Sequence, residues 1–180
     1  MKKVILLLTL FFTAAVFAQT ENVPLTSGCK IGYVDSEVIM SQYSLAVKAK
    51  SDLDAMMNQW KKETDSMTTS LQQLYADYQK QSNTMKPDEQ AKAQKNIVEK
   101  DQKLQDYKQQ KFGQPNGEYY VKQDQLMSPV KQKIFQAIEE IAKEEKMQYV
   151  LDKAGEVIVL YADPQFDITF KVLDRLKRGK

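Results

Sequence analysis

The sequence predicts an α+β protein in which a small β-rich oligomerisation body carries a long antiparallel α-helical coiled-coil hairpin as an arm. Three observations predict it. No Pro or Gly occurs from Ser41 to Gln81, a span dominated by straight-chain and polar residues that suit a helix. Apolar residues in that span recur every 3.5 positions. Short apolar and β-branched runs lie near the two ends of the chain, on either side of the helical middle. A length of 180 residues allows one domain with an extended appendage. With only 6 Gly and 5 Pro and a middle rich in Lys, Gln, Glu, Asp, Met and Leu, the composition favours long helices over a compact sandwich.

The chain opens on MKKVILLLTLFFTAAVFAQT. Lys2 and Lys3 precede an apolar run from Val4 to Phe17 that is too short for a comfortable membrane span. Val16-Phe17-Ala18 places small residues where a signal peptidase reads them, so cleavage is expected after Ala18 and residues 1–18 are read as a signal peptide. Without Lys2 and Lys3 the basic and acidic side chains are equal in number. A neutral exported chain is not expected to bind nucleic acid, nor to bind membranes strongly.

Residues 19–29 are polar, contain Pro24 and Gly28, and read as a linker. Cys29 is the single cysteine, so no internal disulfide is possible. Thr26-Ser27-Gly28 lacks the aliphatic residue expected before an acylated cysteine, so Cys29 reads as a free thiol. The body is expected in two pieces, residues 30–45 and 119–180, with residues 46–118 forming the arm.

Lys30 to Asp35 alternate in the manner of a short strand. Asp35 or Ser36 can cap the next helix, and Glu37 suits its first turn. The heptad then runs through Leu53, Met57, Trp60, Thr64, Met67, Leu71, Leu74, Tyr78 and Gln81, of which only Thr64 and Gln81 are not apolar. Such a narrow stripe with polar flanks means a left-handed coiled coil projecting into solvent. Ser82 to Glu89 form the tip. Pro87 fits a first helical turn and Asp88 and Glu89 fit the positive end of its dipole. A second helix carries the weaker seam Ala93, Ile97, Lys100, Leu104 and Tyr107. Phe112 to Gly117 break it roughly opposite Ala55, as a plain loop or a hinge.

A third helix is expected from Glu118 to Lys146, with Met127, Val130, Ile134, Ala137, Ile138 and Ile141 on one face. Tyr149 to Asp152 and Val157 to Tyr161 read as the two strands of a hairpin. Asp167 is expected to cap a last helix carrying Ile168, Val172, Leu173 and Leu176. So small a sheet, with open edges, is expected to oligomerise. The residues expected to build that oligomerising body are Ile31, Val34, Val150, Leu151, Val157, Val159 and Tyr161.

Catalytic chemistry is not expected. Histidine is absent, which removes the usual base near neutral pH. No cofactor or metal is called for by any glycine loop or ligand cluster. Glu139-Glu140 and Glu144-Glu145 read as solvated faces. Binding chemistry lies on the arm. Leu53, Trp60, Leu71 and Leu74 are expected as coiled-coil core, while off-seam Met56, Tyr75 and Met85 are candidates for client contact. Met57, Met67 and Tyr78 offer the same soft or amphipathic surface. Methionine adapts to irregular partners, as a promiscuous binder requires.

From about residue 30 to 178 the chain resembles the Skp/OmpH family of periplasmic chaperones. The resemblance is carried by Lys30-Ile31-Gly32-Tyr33-Val34-Asp35, and above all by Pro129, Ile134, Ile138, Tyr149-Val150-Leu151-Asp152, Tyr161, Asp163, Asp167-Ile168-Thr169, Val172-Leu173 and Leu176. It implies a jellyfish-like homotrimer with a β-rich body. It also implies a periplasmic, ATP-independent holdase for unfolded outer-membrane β-barrel proteins. One departure is the charge of the arm. Residues 49–110 hold ten Lys against ten Asp and Glu, whereas arms of the well-known members are often strongly basic, which counts against attraction to acidic lipid. A structural tether or assembly factor with one specific partner is the other function these features fit.

Overall fold

A computed structural model describes residues 28–156 and 158–179. The signal peptide and most of the linker, as well as Val157, lie outside the described residues. The elements run in the order β1 (Ile31–Val34), α1 (Ser36–Gln42), α2 (Ser44–Gln81), α3 (Pro87–Phe112), α4 (Glu118–Glu144), β2 (Tyr149–Asp152) and α5 (Thr169–Arg178), with a 3-10 turn at Pro164–Phe166.

Local chemistry sets most of the boundaries. Asp35 caps α1, its carboxylate accepting from the Val38 N–H at 3.0 Å. One residue, Tyr43, adopts an extended conformation and separates α1 from α2. The 38 residues of α2 span about 57 Å at 1.5 Å per residue. Pro87 opens α3, and the Glu89 carboxylate accepts from the Lys86 N–H at 3.2 Å. Asp167 serves α5 by accepting from the Thr169 N–H at 2.9 Å, although the residue in the capping position is Ile168.

The base of the molecule has one apolar core. Val34, Ile39, Tyr43, Ala46, Ala49, Val130, Ile134, Ala137, Ile141, Ile168, Val172 and Leu173 bury one another there. The face expected on α4 is the face that packs. Alanines at 46 and 49 let α2 approach α4 closely. The two-stranded sheet closes over this core, with Gly32 facing the Met147 thioether so closely that a Cβ would lie 2.2 Å from Sδ.

The sheet differs from the hairpin expected. β2 pairs with β1, in parallel, in the register Ile31↔Tyr149 to Val34↔Asp152. The described residues 158–161 contain no strand. A parallel pair needs a long crossover, and the helices between β1 and β2 supply one that returns β2 alongside β1. Lys153 then continues the ladder by donating its N–H to the Val34 carbonyl at 2.8 Å. Ile158, Leu160 and Tyr161 are 83%, 94% and 82% exposed, with no apolar surface of the described residues over them.

Three acidic residues at the carboxyl end of α4, Glu140, Glu144 and the capping Glu145, have roles that composition did not reveal. Arg175 of α5 donates to Glu140 at 2.6 Å and to both Glu144 oxygens at 2.7 and 2.8 Å. Glu145 accepts from Lys171 and from Lys30, the latter at 3.5 Å. Only Glu139 pairs along its own helix, with Lys143 at 2.5 Å. The carboxylates crowd the negative end of the α4 dipole, an unfavourable placement that cations from α5 and the start of β1 offset. Glu140, Glu144 and Glu145 are clips between elements, which corrects their reading as solvated faces, while Glu139 is the exposed surface residue expected.

Candidate functional site: the helical arm

The arm is the paired length of α2 and α3. A coiled-coil pair hides a narrow stripe and leaves the rest wet. Buried on α2 are Leu53, Trp60 and Leu71, three of the four seam residues expected. Leu74 is half-buried. Across from them, Ile97 and Leu104 of α3 are buried and form one cluster with Leu71, against which Met67, Leu74 and Tyr78 pack. Polar ties supplement this seam. Tyr78 accepts from Gln94 at 2.5 Å, Gln90 donates to the Ser82 carbonyl at 2.5 Å, and Tyr107 donates to Glu63. Burial, then the Glu63 carboxylate that accepts its hydrogen bond, push the Tyr107 hydroxyl up to about 12. The same bond holds Glu63 below its ordinary value.

The structure separates the soft residues of the arm into two groups. Met57 and Tyr75 stand 37% and 48% exposed. Met56, Met67, Tyr78 and Met85 are half-buried. Met57 occupies a position in the traced heptad, yet Met56 is the more enclosed of the two. An α-helix turns 100° per residue, so a strict 4-3 pattern drifts relative to a straight helix, and neighbouring residues can exchange places at the edge of the stripe. Val98 of α3, 67% exposed, adds an apolar side chain that the period alone did not single out. Seam logic assigns the inward residues and is silent on which outward ones are apolar by design.

At the lower end of the arm, Phe112 packs edge-on against Trp60, with ring centroids 6.2 Å apart. The break at 113–117 follows at once, close to the expected level of Ala55. In the body, Val34 is buried and Val150 is half-buried against the core. Ile31, Leu151 and Tyr161 are exposed, and Val159 is half-buried. Among the described residues the far edge of β2 pairs with no strand. No described helix is long and apolar enough to cross a membrane.

The family model described as "Outer membrane protein (OmpH-like)" matches residues 30–176. The chain belongs to the OmpH-like family. Its match starts with β1 and ends within α5, so the base and the arm both lie inside it. A solved structure of a putative outer membrane chaperone (OmpH-like) from Caulobacter crescentus CB15 is similar in fold, with a TM-score of 0.67 at 18% identity. The similarity covers 83% of this chain and 85% of that one. No curated protein matches. The OmpH-like fold of long helices with a small strand pair is therefore this chain's fold.

Proposed function

We propose that this protein is a periplasmic, ATP-independent holdase that keeps unfolded outer-membrane β-barrel proteins from aggregating by holding them between helical arms. The observation that carries this reading is a projecting two-helix arm in an OmpH-like chain. Its seam is satisfied internally, and its outer faces still carry Met57, Tyr75 and Val98 among polar neighbours. Dispersed apolar contacts of this kind hold a client weakly at many points. A client can then leave without an energy source. Met56 and Met85, half-buried at the edges of the stripe, extend the same surface. Met67 and Tyr78 border it from the seam side.

Three copies assembled through the body provide the space between arms. The exposed Ile31, Leu151, Ile158, Leu160 and Tyr161 and the free edge of β2 support assembly there, since an unpaired edge beside apolar side chains favours pairing with another chain. Export through the amino-terminal signal places the protein where such clients pass, and the reading assigns it no enzymatic role.

Light scattering of a urea-unfolded outer-membrane β-barrel diluted into buffer tests the proposal. Suppression by the purified mature protein at about one trimer per client, without ATP and repeated for an unrelated barrel, is expected. A well-folded oligomer that suppresses neither would overturn the holdase reading in favour of a tether. Replacing Met57 and Tyr75 by Ser is expected to weaken suppression several-fold while the sedimentation mass stays that of a trimer. Unchanged suppression would remove these residues from the client surface.

A further inference from the structure

We propose that the break at 113–117 is a clasped joint, held shut by the Lys111 ammonium, and that this clasp controls how freely the lower arm bends. Lys111 lies in the last turn of α3 and Glu118 in the first turn of α4. Their side chains meet across the break, Nζ to Oε2 at 2.6 Å. Gln110 donates to the other Glu118 oxygen at 3.1 Å. The same ammonium lies 5.4 Å from the centre of the Trp60 ring on α2 and 5.5 Å from that of Tyr107. One cation therefore touches all three helices that meet at this level.

The surroundings make the contact stronger than an ordinary surface pair. The Lys111 side chain is only 15% exposed, and desolvation strengthens both its ion pair and its attraction to the ring faces. Each charge also stands at the favourable end of its helix, the cation at the carboxyl end of α3 and the anion at the amino end of α4. Phe112, the next residue, is anchored edge-on to Trp60.

The backbone between the two charges is folded as tightly as glycine allows. The Gly117 N–H donates to the Gly113 carbonyl at 2.6 Å. A Cβ on Gly117 would lie 2.7 Å from Gly113 backbone atoms, and one on Gly113 would lie 2.4 Å from the Gln109 carbonyl oxygen. Both glycines are required by this close approach. Once the side-chain clasp opens, those residues offer little resistance to reorientation. The aromatic seat, the ion pair and the glycine turn together describe a joint that is stiff when clasped and loose when not. This property belongs to the arm itself and does not depend on which client it holds.

Hydrogen exchange read by mass spectrometry on the full mature protein tests the joint. In Lys111→Met, amides of 113–121 and of the facing α2 turn at 57–63 are expected to exchange about tenfold faster than in the parent chain. Amides near the tip and those of α4 around Ile134 and Ile141 are expected to stay within about twofold. Lys111→Arg is expected to restore most of the protection. Emission from Trp60, the single tryptophan, is expected to change with Lys111→Met and to return with Lys111→Arg. Parent-like exchange at 113–121, or equal acceleration throughout the chain, would overturn the proposal. Should Lys111→Met fail to fold by circular dichroism, Glu118→Gln decides the matter by the same exchange pattern, because it leaves Lys111 and Trp60 in place.

Discussion

The base and the shaft of this molecule are stabilised in different ways. In the base, buried residues from β1, α1, α2, α4 and α5 enclose one another from several directions. In the shaft, Leu71, Ile97 and Leu104 form a single line, with Met67, Leu74 and Tyr78 along its margin. A residue such as Ile39, fully buried in the base, is fixed by neighbours on separate elements. A shaft residue is fixed by its own helix and the facing one. Loss in the base therefore propagates to every element, while loss in the shaft stays local. Under the proposed holdase function, that arrangement would let the outer length of the arm yield to a client while the base stays intact.

The comparison breaks most visibly at Leu173, which is 2% exposed. Leu173→Ala removes buried methyl groups from a close-packed site and is expected to cost about 2–5 kcal/mol. Urea unfolding followed by circular dichroism would show one cooperative shift. A change well below that range would mean the base is not the main source of stability. Leu104→Ala, at the low end of the same range at about 2 kcal/mol, sharpens the contrast. Exchange is expected to quicken in α3 and the facing part of α2, with α4 and α5 protected as before. Acceleration spread equally into α5 would show that the shaft and base unfold as one unit.

A smaller effect concerns the clips at the base. The Glu145 carboxyl is held below its ordinary 4.5, first by its bond to Lys171 and further by Lys30. A depressed carboxyl contributes stability above its ordinary value, and that contribution is lost as pH falls through the lowered one. Glu145→Gln is thus expected to lower the melting temperature modestly at pH 7 and by less at pH 3, below the ordinary carboxyl value, where the stabilisation from the lowered pKa is no longer fully present. Thermal melts at the two values check the sign. An equal loss at both would mean that Glu145 acts through shape and not charge. Ionic strength gives a parallel check, since pairs this exposed are screened by salt.

Much of this architecture was legible in the residues. The Pro- and Gly-free run gave the long helix, Pro87 with Asp88 and Glu89 gave the return helix, and Gly113 and Gly117 gave its end. Leu53, Trp60 and Leu71 were recognisable as seam because burial in a two-helix pair follows a short period. The candidate client residues were less distinct. Met56 and Met57 are adjacent and chemically alike, and only the local rotation of α2 separates a half-buried one from an exposed one. Val98 passed unnoticed because an exposed apolar residue leaves no periodic mark. The pairing of Arg175 with Glu140 and Glu144 joins residues more than thirty positions apart, and charge runs on two helices do not announce which will meet.

The sequence by itself determined the long helices, the Asp35 cap, the seam period and the place of the break. Each rests on interactions between residues a few positions apart, whose geometry the chain carries with it. Only the tertiary structure decided that β2 runs parallel to β1, that Ile158, Leu160 and Tyr161 are exposed among the described residues, and that Lys111 bridges three helices. Strand partners and long-range ion pairs depend on where whole elements come to rest. A β-branched run such as Val157 to Tyr161 records a preference for an extended, half-buried setting, but a neighbour must be present to supply it.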